Sequence, residues 1–101
     1  MRAAKIDRNQ PEIVDALRKA GCEVHITARL GDGFGDIVVK RGSFEAGTLL
    51  VRCMEIKDGD LPPSARKLTP AEADFHRDFA GFAVVVTSVD EAFEAMGIVA
   101  T

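Results

Sequence analysis

The sequence predicts a single α/β domain in the order αβββαβα, with a mixed four-stranded sheet flanked by helices. Three observations carry that expectation. Residues 10–20 place apolar side chains at helical spacing, residues 22–57 hold three strand-like stretches with no helix between them, and helix, strand and helix alternate from residue 69 onward.

Composition sets outer limits. The chain has 101 residues, 47% of them hydrophobic and 29% charged, which suits one compact core and one small site. A domain of this size buries only about two-thirds of its unfolded surface, so a partner subunit would add needed burial. No apolar stretch approaches the ~20 residues that span a bilayer. The start, Met1-Arg2-Ala3-Ala4-Lys5-Ile6-Asp7, lacks the apolar segment of a signal peptide, and a cytoplasmic protein is expected. Cys22 and Cys53 stand 31 positions apart without CxxC spacing, which fits two buried free thiols better than zinc or a disulfide scaffold. The net charge of −3 does not advertise a nucleic-acid binder, although a bound divalent ion reverses the local field of the carboxylates that hold it.

Helix one is expected from Pro11 at its first turn to a stop at Gly21, with Ile13, Val14, Ala16, Leu17 and Ala20 on one side. Strict alternation over 22–30 predicts a long half-buried strand, with Cys22, Val24, Ile26, Ala28 and Leu30 facing one way. The cluster Gly31-Asp32-Gly33-Phe34-Gly35 breaks it. Asp36–Lys40 follows as strand two and Thr48–Lys57 as strand three, whose nearly continuous apolar run marks it as central. Residues 58–68 carry no periodic pattern and read as a polar loop. Thr69-Pro70-Ala71-Glu72 is a capping box opening a helix with Phe75 and Phe79 one turn apart. Phe82–Thr87 gives the fourth strand, and Ser88 caps a last helix that stops near Gly97.

Chemistry concentrates at Asp36, Glu55 and Lys57. A hairpin centred near residue 45 or 46 sets Asp36 directly across from Glu55, and Lys57 projects from the same face two residues on. Opposed carboxylates repel, so such a pair takes up a proton or holds a cation. Mg²⁺, which accepts one or two carboxylates and keeps positions for water and phosphate oxygens, suits phosphodiester chemistry, with Lys57 placed to orient a water. The residue types leave a second account open, a carboxylate pair at an exposed hairpin end that Lys57 merely neutralises. Glu12 lies about 100° from the middle of the apolar stripe of helix one and borders the core. It could reach a metal, or simply complement the helix dipole.

Glu12 in a first helix, Gly33-Phe34-Gly35-Asp36 before a strand, Glu55-Ile56-Lys57 at the end of the next and a Thr69-Pro70-capped helix resemble the PD-(D/E)xK nuclease superfamily. Asn9-Gln10-Pro11-Glu12-Ile13-Val14, Glu55-Ile56-Lys57-Asp58-Gly59 and Arg66-Lys67-Leu68-Thr69-Pro70 resemble its VRR-NUC type, found in small phage and prophage proteins. The resemblance covers nearly the whole chain. It implies that Glu12, Asp36, Glu55 and Lys57 assemble around Mg²⁺ or Mn²⁺, with the backbone carbonyl of Ile56 as a further ligand. It also implies a homodimeric endonuclease cutting DNA, with a preference for junctions among relatives. Gly35 stands where the signature has proline, which loosens the approach to Asp36.

The surrounding residues divide between chemistry and structure. A strand rather than a helix follows the glycine cluster, so a nucleotide-binding loop is not expected. Ser64, Arg66 and Lys67 suit contacts to DNA phosphates or a solvated basic turn equally. Glu72 is accounted for by capping, with the metal vicinity as its second reading. His25 and His76 lack zinc-ligand spacing and default to the surface, His76 standing one turn after Glu72 where it can face the cleft. Phe34 reads as a turn anchor. A DNA-binding module without turnover is the alternative function.

Overall fold

The computed structural model describes residues 7–99. Helix α1 (Gln10–Lys19) leads into β1 (Glu23–Ile26), β2 (Ile37–Arg41) and β3 (Leu50–Ile56). A 3₁₀ turn (Pro63–Arg66) then precedes α2 (Pro70–Asp78), β4 (Ala83–Val86) and α3 (Val89–Ala95). The strands lie side by side in sequence order, antiparallel from β1 to β3 and parallel between β3 and β4, as a mixed four-stranded sheet.

One face of the sheet carries the core. Ile13, Val14 and Leu17 of α1 and Ala92 and Met96 at α3 pack against Val24, Ile37, Val39, Met54, Ile56 and Val86. Both thiols are buried and free. Arg52 donates to the carbonyl of Ala95, and Arg41 to those of Met96 and Gly97, so two guanidiniums satisfy the otherwise unpaired end of α3. Alternation along β3 then fixes the other face: Cys53 and Glu55 point away from Met54 and Ile56, and Lys57 follows Glu55. Glu72 of α2 reaches Lys57, which places α2 over that second face.

The helices end as their residues dictate. Thr69 accepts from the Glu72 amide at 3.2 Å while the Glu72 carboxylate accepts from the Thr69 amide at 2.9 Å, the predicted reciprocal box. Ser88 caps α3, and Gly21 and Gly97 take the left-handed φ that their stop positions require.

Two expectations are corrected. The first strand stops at Ile26, not Leu30: the Leu30 amide returns to the carbonyl of Thr27 in a turn, and the Thr27 hydroxyl turns across to the Gly35 carbonyl at 2.8 Å. Alternation persisted in the sequence past the point where it reports a buried face, since Ile26 is 56% and Leu30 65% exposed. The loop 58–68 is not featureless, holding the 3₁₀ turn behind Pro62 and Pro63. Among the described residues no helix is long and apolar enough to cross a membrane.

Candidate active site at the ends of the central strands

The hairpin register is the predicted one, Ile37 opposite Met54 and Val38 opposite Cys53. It carries Asp36 to Glu55, with one refinement at the last step. A regular antiparallel residue directs its amide and carbonyl to the same neighbour. Asp36 instead donates its amide to Met54 on β3 and accepts at its carbonyl from Thr27, which extends β1, both at 2.8 Å. The strand therefore kinks where the carboxylate begins. That carboxylate accepts from the Ile56 amide at 2.7 Å, so the backbone of Ile56 faces Asp36 through its N–H.

Gly35 makes this approach possible. A Cβ there would fall 2.6 Å from the sulfur of Cys53 and 2.9 Å from the carbonyl oxygen of Met54. Proline in this position would meet the same obstruction, so Gly35 and the buried Cys53 belong together as one packing solution. Gly33, with φ of +81°, presses its α-carbon face against the first turn of α2. A Cβ there would meet the Ala71 carbonyl oxygen at 2.3 Å. Gly33→Ala is therefore expected to cost about 2 kcal/mol in a denaturant melt, from left-handed backbone and displaced α2 together. Phe34 is held against Phe75, ring centroids 5.1 Å apart, in the anchoring role expected of it.

Beneath α2 the charges converge. Glu55 is 5% exposed, and the Lys57 ammonium lies 3.3 Å from its carboxylate and 3.2 Å from that of Glu72. Burial, and then the neighbouring Asp36 and Glu72 carboxylates, push Glu55 up to about 8. Asp36 is also raised, by burial first, against the opposing donation from Ile56 and with the negative charge of Asp7 adding to the rise. Burial alone would depress Lys57, but Glu55 and Glu72 hold it above the usual lysine range. Glu72 is lowered despite its burial, because the Thr69 amide and Lys57 both favour its carboxylate. Burial lowers His76, which is half-buried within the field of Glu72 and Lys57, and its Nε2 has no partner.

Glu72 thus serves at once as cap of α2 and as partner of Lys57. Two variants separate them. Glu72→Gln preserves a capping box and is expected to leave stability within ~0.5 kcal/mol, whereas Glu72→Ala loses about 1 kcal/mol in the same thermal melts.

Not every expected residue joins this cluster. Glu12 is exposed and lines a separate cavity of about 390 Å³ with Arg8, Asn9, Asp58 and Asp60. Its position on the outer flank of α1 is the reason: the buried stripe runs through Gln10, Ile13, Val14 and Leu17. Among the described residues no three carboxylate, imidazole or thiol groups stand ready as a metal cluster. Ser64 and Lys67 are exposed on the loop, while Arg66 is half-buried with its Nε unpartnered and its charge acting on Asp58. His25 is at the surface beside Glu23, as expected.

Three features escaped the sequence reading. Asp7 acts on Asp36, Asn9 donates to the carbonyls of Lys57 at 3.1 Å and Thr87 at 3.0 Å, and Arg8 clasps Asp58 and Asp60. Asn9 and Arg8 fasten the entry to α1 onto the strand ends that carry the site, while Asp7 adds a like charge near Asp36. A polar run before a helix was their signal. No protein-family model matches this chain, and no curated protein or solved structure matches it either.

Proposed function

We propose that the chain is a divalent-metal-dependent DNA endonuclease of the PD-(D/E)xK, VRR-NUC type, with a restriction-endonuclease-like core. The observation that carries this reading is the pairing of Asp36 with a buried Glu55 on adjacent strand ends, with Lys57 within 3.3 Å of Glu55. Burial first, and then the nearby carboxylates of Asp36 and Glu72, hold Glu55 at about 8, and such a site is short of positive charge. The hard oxygen atoms of Asp36 and Glu55 fit Mg²⁺ or Mn²⁺. Such an ion, when bound by Asp36 and Glu55, supplies Lewis acidity toward a phosphodiester. Lys57 then donates to the attacking water and offsets charge that builds on the phosphate oxygens. Glu72 keeps the Lys57 ammonium aimed and protonated. In-line attack leaves a 5′-phosphate, as the family resemblance implies.

Arg66, Lys67 and Ser64, on the loop that leaves the site, would bind flanking phosphates. A branched or duplex substrate needs two cuts, and a symmetric homodimer provides two sites. The exposed apolar residues Ile26 and Leu30 beside the free edge of β1 offer one surface for it.

The unpartnered Nε of Arg66 favours a second reading, a DNA-binding module without turnover. Melting curves with Mg²⁺, Mn²⁺ and a DNA junction test both, since a ligand of the folded state raises the melting temperature. The nuclease reading expects metal to raise it in the wild type and not in Asp36→Asn. A rise with DNA alone, lost in Arg66→Ala/Lys67→Ala and indifferent to metal, would favour the module.

A further inference from the structure

We propose that two copies of the chain join edge to edge across a two-fold axis at Ile26, the free edge of β1 and the flank of α1 beside it forming the interface. The homodimer belongs to the nuclease reading above, on which this inference rests. β1 is an edge strand, with no strand of the described residues beyond it. Thr27 sends its amide to the carbonyl of Asp36, so along this antiparallel pair the backbone groups of Val24 and Ile26 turn away from β2. Arg18 meets them from outside, its guanidinium donating to the Val24 carbonyl at 3.0 Å. Ile26 keeps both its outward N–H and its outward C=O for a partner, and its side chain is 56% exposed.

Beside this edge runs a groove of about 310 Å³ lined by Gln10, Pro11, Val14, Asp15, Arg18 and Ile26. Gln10 is 3% exposed, and its Oε1 has no hydrogen-bond donor. A buried acceptor without a donor marks a missing partner. Past Ile26 a second depression of about 310 Å³ continues to the exposed Leu30.

A second copy fits this surface better than a foreign strand. An added peptide needs outward backbone groups at alternate residues of a run, but Arg18 occupies the carbonyl of Val24 and the strand ends at Ile26. A two-fold contact needs one residue: Ile26 against its symmetry mate exchanges two N–H to C=O bonds, and every apolar contact is made twice. Such an axis also sets the two α1 helices antiparallel. Asp15 stands midway along the helix and Arg18 and Lys19 in its last turn, so the basic end of each helix runs toward the acidic first turn of the other, where Glu12 stands. The contact adjoins the site, because Thr27 holds the carbonyl of Asp36 with its amide and that of Gly35 with its hydroxyl, both at 2.8 Å. Two sites then lie beside the axis, as paired cuts in one DNA require.

The test is sedimentation of the full chain across the micromolar range, with circular dichroism alongside. The wild type is expected to dimerise, and Ile26→Lys to weaken the dimer at least tenfold, since lysine on an edge strand opposes pairing. Its circular dichroism should match the wild type, because the replaced side chain is more than half exposed. Phe44→Lys, at a residue 81% exposed between β2 and β3, should dimerise as the wild type does. Under oxidation Ile26→Cys should form a disulfide-linked dimer, since opposed Cα atoms about 5.5 Å apart lie within disulfide range, whereas the wild type, with Cys22 and Cys53 buried, should not. A dimer that survives Ile26→Lys, that Phe44→Lys dissociates, or in which Ile26→Cys fails to cross-link uses another surface and overturns the inference alone. A wild type that stays monomeric removes the homodimer and this surface together, and metal-dependent cutting by that monomer leaves the nuclease chemistry standing. A dimer lost in Ile26→Lys that cuts no DNA keeps this surface and ends the nuclease reading instead.

Discussion

Lys57→Ala is expected to lose metal-dependent DNA cutting by at least a hundredfold, the scale on which removing one preorganised donor to a developing charge acts. DNA affinity should change far less, since the flanking phosphates are assigned to Arg66 and Lys67 and not to Lys57. The protein should still fold: Glu55, already held at about 8, answers the loss of its cation by keeping its proton. Lys57→Arg should not restore activity. The ammonium sits 3.3 Å from Glu55 and 3.2 Å from Glu72 in a space that a planar guanidinium does not match. Gel cleavage assays and circular dichroism on the same preparations separate lost chemistry from lost structure.

The second large effect is on stability against pH. Glu55 is raised from its ordinary value of 4.5 to about 8 in the folded chain, so between those limits the folded state holds more protons than the unfolded one. Stability that is fully present below pH 4.5 is therefore lost as the pH rises through about 8, and the raised Asp36 acts in the same direction. Glu55→Gln imitates the protonated form. It should flatten this slope and, above pH 8, be more stable than the wild type by about 3 kcal/mol. Mg²⁺ should narrow the difference by stabilising the wild type alone, and more so at alkaline pH, because it binds the carboxylate form. Denaturant melts at pH 5, 7 and 8.5, with and without Mg²⁺, check both signs.

Much of this arrangement was legible in the sequence because it follows from local rules. The hairpin centre gave the register, and with it the meeting of Asp36, Glu55 and Lys57. Threonine, proline and glutamate at fixed offsets gave the cap of α2. What the sequence hid depends on contacts between distant segments. Period-two alternation continued to Leu30 although the strand stops at Ile26, because alternation cannot tell a buried face from a turn that exposes it. The angle of Glu12 on a helical wheel placed it at the border of the core, but which border lies over the site is set by how Asn9 docks on β3 and β4. Gly35 in place of proline looked like a loosened signature. Its neighbour Cys53, eighteen residues away, shows instead a close fit of the kink to β3.

The central claim is that Asp36, Glu55 and Lys57 form a metal-dependent phosphodiesterase centre. The most direct measurement is incubation of the chain with end-labelled four-way junction, flap, duplex and single-stranded DNA in Mg²⁺, Mn²⁺ or EDTA, beside Lys57→Ala. The account predicts discrete cleavage in metal, none in EDTA and none with Lys57→Ala. Binding without cleavage under every condition, or cleavage that Lys57→Ala retains in full, would contradict it.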